Sequence, residues 1–413
     1  MPIRVLPLLF VLAFGVAAAF TPAPPPQGLN TTIKIVSSLP RTGSARGQTD
    51  TIVDGIRLAL HEVGYKLTLG GTEYQLEYLD LDDATAAQGA WTIEKETMNA
   101  NQARLDPDVM VYIGTYNSGA AKISMPILNK ARMLMVSPAN TAVGLTKPGL
   151  GERDEPKRYR PSGGINYLRV VPTDDFQGAA GAEWAKEMGR GKVYILDDNE
   201  VYGKGIADLF EAHARKIGLE VVGHESIDAK AQEYTALMTR LKGLKPNLVY
   251  FGGTTQSNAG QLAKDLAVYG PNDCHMMGPD GCYEQAMIKS AGATVLNDRF
   301  YVTFGGLTVD KLKETPGGKN FFEKYNDLYH RDPAEAYALY GYECGRVAVE
   351  AIRQAGVKDR DAIRQAGVTI KDFPGVTGTW SFDANGDTTQ QEIFGITVRN
   401  GDFVFVKKLT VPR

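Results

Sequence analysis

The stretch VYIGTYNSGAAKISMPILNKARMLMVSPANTAV, residues 111–143, contains one arrangement twice. An apolar strand, Val109 to Ile113 and again Met133 to Val136, leads into a loop of small hydroxyl and amide residues and then a helix-like segment. In open α/β sheets, ligands bind at the carboxyl ends of strands, where helix N-termini leave backbone N–H groups free. Ser118 and Thr141 are therefore predicted to direct hydroxyl and N–H groups at a shared anion. No nucleophile–base pair and no phosphate loop accompanies them, so the stretch predicts capture of a ligand.

Length and composition favour a soluble protein of two domains. The chain has 413 residues, of which 43% are hydrophobic and 23% charged, and this length is too great for one small core. The formal net charge is −3 and the sequence pI is about 6.0. Because there is no basic excess, neither a nucleic acid nor an anionic membrane surface is expected as a partner.

The N-terminus predicts export. Arg4 precedes the apolar run VLPLLFVLAFGVAAA, and Ala17 to Ala19 supply an A-x-A cleavage site. We therefore predict a signal peptide over residues 1–19, a Pro-rich leader over residues 20–30, and a mature protein in the periplasm or outside the cell, associated with the envelope. No cysteine lies near the site, so a lipoprotein anchor on a cysteine is not expected.

Strand-like and helix-like segments alternate through most of the chain, which indicates an α/β fold with parallel sheets. The alternation restarts after Tyr167, so we predict two similar Rossmann-like lobes with a cleft between them. A helix is predicted from Ala87 to Met98. The C-terminal stretch from Gly378 to Val411 alternates apolar and polar residues around two Asn-Gly turns, which is typical of a β-hairpin.

Several residues outside the opening stretch have two readings. Asp280 in MGPDG could present a carboxylate to the cleft or form an ordinary turn, and Tyr202 could cover a ligand or pack half-buried. The Asp80, Asp82 and Asp83 group reads as a solvated loop and helix cap rather than a metal site. No cofactor, metal site or catalytic residue is predicted.

The three cysteines also leave alternatives open. Cys274 and Cys282 flank a turn-rich loop and could form a disulfide that leaves Cys344 free, or all three could be unpaired, buried thiols.

An ordered set of segments resembles one family. The segments KIVSSLPRTGSARGQTDTIVDGIRLAL, YIGTYNSGAA, MLMVSPANTA, LRVVPTDDFQG, VYGKG, YFGG, MGPDG and VTGTWSFDANGD resemble the periplasmic-type solute-binding proteins that feed ABC importers of leucine, isoleucine and valine. The resemblance implies a type I periplasmic binding protein fold, with two lobes joined by three crossovers at a hinge. It places residues 31–172 and 303–376 in lobe 1, and residues 173–302 and 377–413 in lobe 2.

The resemblance also implies roles for residues at the site. Ser118, Ala139 and Thr141 match positions that hold the ligand α-carboxylate, Asp280 matches the acid that takes the α-ammonium, and Tyr202 matches a tyrosine that covers the ligand. The departures from the family pattern lie at Arg46, at Tyr116 and Asn117, and in GGTTQSNAG, residues 252–260. The predicted ligand-binding set comprises Arg46, Tyr116, Asn117, Ser118, Ala139, Asn140, Thr141, Tyr202, Thr254 and Asp280.

The expected function is capture of an α-amino acid between two closing lobes and its delivery to the membrane subunits of an ABC permease, by a protein that is monomeric and not an enzyme. The departures extend the expected ligands to amino acids with polar or acidic side chains. Two alternatives keep the fold: a sensing module that signals through a receptor, and a binder of an amide or an aromatic acid. A secreted enzyme on a similar frame is disfavoured by the missing catalytic constellation.

Overall fold

The opening stretch lies at the centre of a six-stranded sheet. In the computed structural model, which describes Met1 and residues 30–411, its strands have the order β2-β3-β1-β4-β5-β6. All neighbours are parallel except β2 and β3, which are antiparallel. The strands are β1 Thr32–Leu39, β2 Lys66–Leu69, β3 Thr72–Asp82, β4 Val109–Gly114, β5 Leu134–Ser137 and β6 Tyr167–Arg169. The predicted signal peptide and leader fall almost wholly on residues 2–29, outside the described residues.

Three helices connect these strands: α1 Arg46–Glu62, α2 Ile93–Leu105 and α3 Ser118–Lys130. The predicted helix from Ala87 to Met98 was wrong in its first turns. Ala84 and Trp91 instead form an isolated antiparallel bridge, and the Thr92 hydroxyl accepts a hydrogen bond from the Lys95 N–H, which caps α2. Strand β2 was missed, although the Gly-Gly pair between two alternating segments is a hairpin signal.

A second, seven-stranded sheet has the order β15-β14-β11-β10-β9-β7-β8. Its parallel strands are β7 Lys192–Asp197, β8 Glu220–Ser226, β9 Leu248–Gly252, β10 His275–Gly278 and β11 Phe300–Phe304. The antiparallel hairpin of β14 Ile393–Arg399 and β15 Asp402–Leu409 turns at Asn400-Gly401, as the sequence predicts, and adds to the edge at β11. The associated helices are α4 Asp174–Glu187, α5 Val201–Lys216, α6 Thr235–Leu244, α7 Ala259–Tyr269, α8 Gln285–Ala291 and α9 Ala293–Leu296.

The segment between β11 and β14 returns to the first sheet. It comprises α10 Val309–Glu314, α11 Pro316–Tyr329, α12 Ala338–Ala355, α13 Arg360–Val368 and a small hairpin of β12 Phe373–Gly375 with β13 Gly378–Trp380. Helix α12 packs along α1, and both α12 and α13 contact β4 and β5. Within residues 30–411 the chain therefore passes three times between the two sheets, and the predicted two-lobed α/β fold is confirmed. None of the described helices combines the length and apolar character that crossing a membrane requires.

Helices α1 and α12 approach so closely that two glycines face the opposite backbone. A Cβ added at Gly55 would lie 2.1 Å from the main-chain oxygen of Ala338, and one added at Gly341 would lie 2.1 Å from that of Ile52. Because both obstacles are backbone atoms, a larger side chain can be accommodated only if the helices separate.

We expect Gly55→Ala to lower the free energy of unfolding by about 1–3 kcal/mol, as overpacking does in well-packed cores. The matched control is Gly47→Ala in the same helix, where nothing beyond the adjoining backbone of the helix lies within 4 Å of the added Cβ. The control substitution should leave the free energy of unfolding unchanged or raise it by up to about 1 kcal/mol, because alanine has a higher helix propensity than glycine. Urea denaturation of both variants measures the difference, and equal effects would contradict close packing of α1 on α12.

Candidate functional site

Ser118 and the segment Ala139 to Thr141 lie side by side at the carboxyl ends of β4 and β5. The two strands are parallel neighbours, so the loops that follow them leave the sheet at the same edge. Ser118 is the first residue of α3, and its hydroxyl accepts a hydrogen bond of 3.4 Å from the Ala142 N–H. The Thr141 hydroxyl is buried and has no hydrogen-bond partner. This edge therefore offers a hydroxyl group and a helix N-terminus, the donors that a carboxylate needs.

Asn140 lies in the same loop, but its side chain bonds to neighbouring loops and strands. Its side chain is fully buried, and its amide oxygen accepts hydrogen bonds from the Thr115 N–H at 3.3 Å and the Tyr167 hydroxyl at 3.1 Å. Its amide nitrogen donates to the main-chain oxygen of Tyr116 at 2.9 Å. These bonds occupy the polar atoms of Asn140, so it fixes the two loops against each other instead of lining the cavity.

Asp280 faces this edge from the loop after β10. Its carboxylate accepts hydrogen bonds from the Tyr202 hydroxyl at 2.6 Å and the Tyr337 hydroxyl at 2.5 Å. Burial raises the pKa of Asp280 above its ordinary value, and the two tyrosine hydroxyls act in the opposite direction. Tyr337 was not predicted, since a tyrosine before an amphipathic helix carries no signal that distinguishes a binding residue from a core residue.

A small cavity brings most of the predicted residues together. Its volume is about 20 Å³, room for about one water molecule. An amino acid can enter only if the walls move apart. The lining residues are Tyr116, Asn117, Ser118, Ala139, Tyr202, Thr254, Asp280, Gly281 and Tyr337. Thr141 lines an adjoining cavity that also contacts Asp280 and Tyr337.

Arg46 does not line the cavity. Its side chain is 67% exposed and forms an ion pair with Asp50 at 3.4 Å, one helical turn away. Gln48, two residues further along, is instead fully buried, although it does not line the cavity either. Its amide oxygen accepts a hydrogen bond from the Tyr116 hydroxyl, and its amide nitrogen donates to the Tyr283 main-chain oxygen at 3.3 Å. The helical spacing explains the difference, because residues two apart point to different faces of α1.

A second buried carboxylate lies beside the site at the start of α4. Asp174 is fully buried, and neither of its carboxylate oxygens has a hydrogen-bond partner. Burial raises its pKa well above the ordinary value, and the nearby Asp280 carboxylate raises it further. Both carboxylates therefore make the site favourable for a positive charge.

A buried ion pair holds the loop that contains Thr141. The Arg169 guanidinium at the end of β6 lies 2.6 Å from the Asp387 carboxylate, and these side chains are 0% and 1% exposed. Arg169 also donates to the main-chain oxygens of Asn140 at 3.2 Å and Ala142 at 2.8 Å, and to the Thr146 hydroxyl. Asp387 ends a stretch, DANGD, that the sequence marks only as a turn. Its pairing with a residue 218 positions away was not predictable from local pattern.

The acidic group at the end of β3 corrects another prediction, because Asp80 and Asp82 lie within the strand and only Asp83 follows it. The Asp82 carboxylate accepts hydrogen bonds from the Arg41 N–H at 2.8 Å and the Thr42 hydroxyl at 2.6 Å, and Asp83 is fully buried. Asp83 is therefore packed rather than solvated, while Asp80 and Asp82 are half-buried. The three cysteines are free, buried thiols, which settles the alternatives against a disulfide.

Comparison with known proteins gives a match over nearly the whole described chain. The model of the periplasmic binding protein family covers residues 32–402. The chain belongs to the periplasmic binding protein family. Members of this family are solute-binding proteins, so the prediction that the chain is not an enzyme is confirmed. The predicted resemblance to branched-chain amino acid binding proteins is likewise confirmed by relatives that carry that name.

One such relative is the Leu/Ile/Val-binding protein BraC3 of Rhizobium johnstonii. It is 28% identical over 358 residues, which cover 85% of this chain and 88% of the relative. Among solved structures, the leucine binding protein LivK of Thermotoga maritima aligns with a TM-score of 0.77 at 23% identity, covering 92% of this chain and 99% of that one. A solute-binding protein of R. palustris in complex with benzoate aligns with a TM-score of 0.72 at 18% identity, covering 91% and 96%. At these identities the two structures show the fold alone.

Proposed function

We propose that this periplasmic binding protein captures a free α-amino acid between its two lobes and delivers it to the membrane subunits of an ABC permease. The observation that carries the proposal is the composition of one cavity. Ser118 and Ala139 line it from the first sheet, and Asp280 and Tyr202 line it from the second. A zwitterion needs hydrogen-bond donors for its carboxylate and a counter-carboxylate for its ammonium, and each side supplies one of them.

Binding between lobes would couple capture to closure. We propose lobe 1 to comprise residues 31–172 and 303–376, and lobe 2 residues 173–302 and 377–413. Because the ligand would bridge groups on both lobes, it would stabilise the closed arrangement over the open one, by its differential affinity for the two. A permease could then distinguish loaded from empty protein by shape. Export through a cleaved signal peptide would place the protein where such a permease faces it.

The structural relative that binds benzoate favours a second candidate, an aromatic acid binder. A carboxylic acid without an amino group could use the Ser118 end of the cavity. Asp280 argues against this ligand class, because benzoate carries no cation to offset a buried carboxylate.

A ligand panel separates the two candidates. We expect calorimetry and thermal-shift measurements of the mature protein to detect binding of at least one free α-amino acid. The control ligands are the matched 2-hydroxy acid, which lacks the ammonium group, and benzoate. A ligand at 100 times its Kd should stabilise the protein by about 2.7 kcal/mol. Binding of benzoate together with no detectable binding of any amino acid would contradict the proposal.

A further inference from the structure

A histidine and two carboxylates converge where α5 lies against β8. Asp208 and Glu211 are three residues apart on α5, so their side chains are neighbours on one face of the helix. His224 on β8 directs its Nδ1 atom at both of them, 2.6 Å from a Glu211 carboxylate oxygen and 3.9 Å from an Asp208 carboxylate oxygen. One nitrogen or oxygen atom of each residue lies within 4.8 Å of those of the other two.

A fourth residue fixes the orientation of the imidazole ring. The His224 Nε2 atom lies 3.0 Å from one carboxylate oxygen of Asp197, whose side chain is 2% exposed. The other Asp197 oxygen accepts hydrogen bonds from the Ser226 hydroxyl at 2.7 Å and the Asn199 N–H at 2.8 Å. With Nε2–H donating to this fixed carboxylate, Nδ1 can act as a ligand. Histidines that bind metals typically donate their second ring N–H to a carboxylate in this way.

The three side chains can be reached from solvent. His224 is 15% exposed, Glu211 22% and Asp208 54%. Two basic groups already pair with the carboxylates: Arg215 bonds to the Glu211 oxygen that does not face His224, and Lys204 lies 3.6 Å from Asp208. The Lys204 side chain is 52% exposed, and such exposed pairs contribute little, so a divalent cation can displace its ammonium group.

We propose that His224, Glu211 and Asp208 bind a zinc ion, with Asp197 positioning the imidazole and water completing the coordination. One neutral imidazole and two carboxylates form a donor set that suits zinc, which takes four ligands. Zinc lies about 2.0–2.2 Å from such ligand atoms, so two of them can be at most about 4.4 Å apart. The 3.9 Å separation between His224 and Asp208 meets this limit, and the shorter contact with Glu211 lengthens as the ion enters.

Zinc must compete with a proton for the Nδ1 atom. Hydrogen bonds to Asp197 and Glu211 raise the pKa of His224 above its ordinary value, although partial burial acts in the opposite direction. The charged groups around the ring are Asp197 on β7 and Asp208, Glu211, Arg215 and Lys204 on α5. Since only the deprotonated nitrogen binds a metal, zinc affinity should increase at least about 5-fold between pH 6 and pH 7.5.

Calorimetry with zinc chloride tests the site, on the mature protein without an affinity tag and in a buffer free of phosphate. At pH 7.5 we expect one zinc ion per chain at the tightest site. His224→Gln and Glu211→Gln should each weaken this binding at least about 10-fold, and Asp197→Asn by about 10- to 100-fold. The matched control is His213→Gln on the same helix, where His213 contacts the single carboxylate of Glu183 at 2.8 Å and zinc affinity should not change.

Thermal denaturation provides a second measurement. Zinc should raise the melting temperature of the wild type and of the His213 control but not that of His224→Gln, and melting without zinc checks that each variant is folded. Absence of zinc binding, an unchanged zinc affinity in His224→Gln, or an equal loss in the His213 control would each overturn the inference. None of the three proposed ligands lines the cavity around Asp280, so amino-acid affinity should be the same in all these variants, and the proposed function stands or falls separately.

Discussion

Replacing Asp387 with alanine is expected to lower the free energy of unfolding by about 3–5 kcal/mol, the typical cost of removing one partner of a buried ion pair. Arg169 would remain fully buried without its counter-charge, because the Asp387 carboxylate at 2.6 Å is its only anionic partner among the described ion pairs. The Thr146 hydroxyl, which donates to the second carboxylate oxygen at 3.0 Å, would also lose its acceptor. Urea denaturation with the midpoint and slope both fitted measures this loss.

The matched control for this variant is Asp273→Ala. Asp273 pairs with Arg190 at 3.0 Å, but its side chain is 83% exposed, so this loss should stay within about 1 kcal/mol. A loss for Asp387→Ala no greater than that of the control would contradict the structural role of the buried pair. Arg169 also holds the main-chain oxygens of Asn140 and Ala142, so the Asp387 variant should in addition bind ligand less tightly.

Asp280→Asn is expected to weaken binding of an α-amino acid by about 10- to 100-fold, which corresponds to about 1.5–3 kcal/mol for one charge-assisted hydrogen bond. The matched 2-hydroxy acid should lose much less, since it has no ammonium group for Asp280 to neutralise. Calorimetry with both ligands measures the difference. Equal losses for the two ligands would remove the proposed role of Asp280.

The same variant should not destabilise the empty protein. Burial raises the folded-state pKa of Asp280, so its carboxyl group contributes most to stability below its unfolded pKa, and this contribution is lost as pH rises through the folded pKa. Asparagine has no carboxyl group to ionise, so this loss of stability with rising pH does not occur in the variant. The empty variant should therefore be at least as stable as the wild type at neutral pH. Loss of affinity without loss of stability distinguishes a binding residue from a structural one.

The part of the candidate site that the sequence predicts lies at the carboxyl ends of two neighbouring strands. Val109 to Ile113 and Met133 to Val136 are continuous apolar runs, and such runs form buried parallel strands whose carboxyl ends meet at one edge. Ser118 and Ala139 therefore come together by a rule that sequence alone supplies. The placement of Asp280 and Tyr202 opposite them was implied by the family resemblance, and the structure brings both into the same cavity.

Two predicted site residues, Arg46 and Asn140, do not line the cavity, and side-chain direction is the reason. Arg46 points to solvent beside Asp50, and the Asn140 side chain is bonded to the main chain of the neighbouring loop. Gln48 and Tyr337, which no local pattern marked, occupy the interior instead. A shift of two residues along α1 decides that Gln48 is buried and Arg46 exposed, and helix boundaries predicted from sequence are less precise than that.

The sequence by itself determined the alternation of strands and helices, the two-lobed fold and the loops that carry Ser118 and Ala139, because these depend on short-range periodicity and on apolar runs. Tertiary structure alone decided that Arg169 pairs with Asp387 and that Tyr337 bonds to Asp280. Such contacts join residues far apart in the chain, and their energies come from burial and charge, which exist only once the lobes have packed.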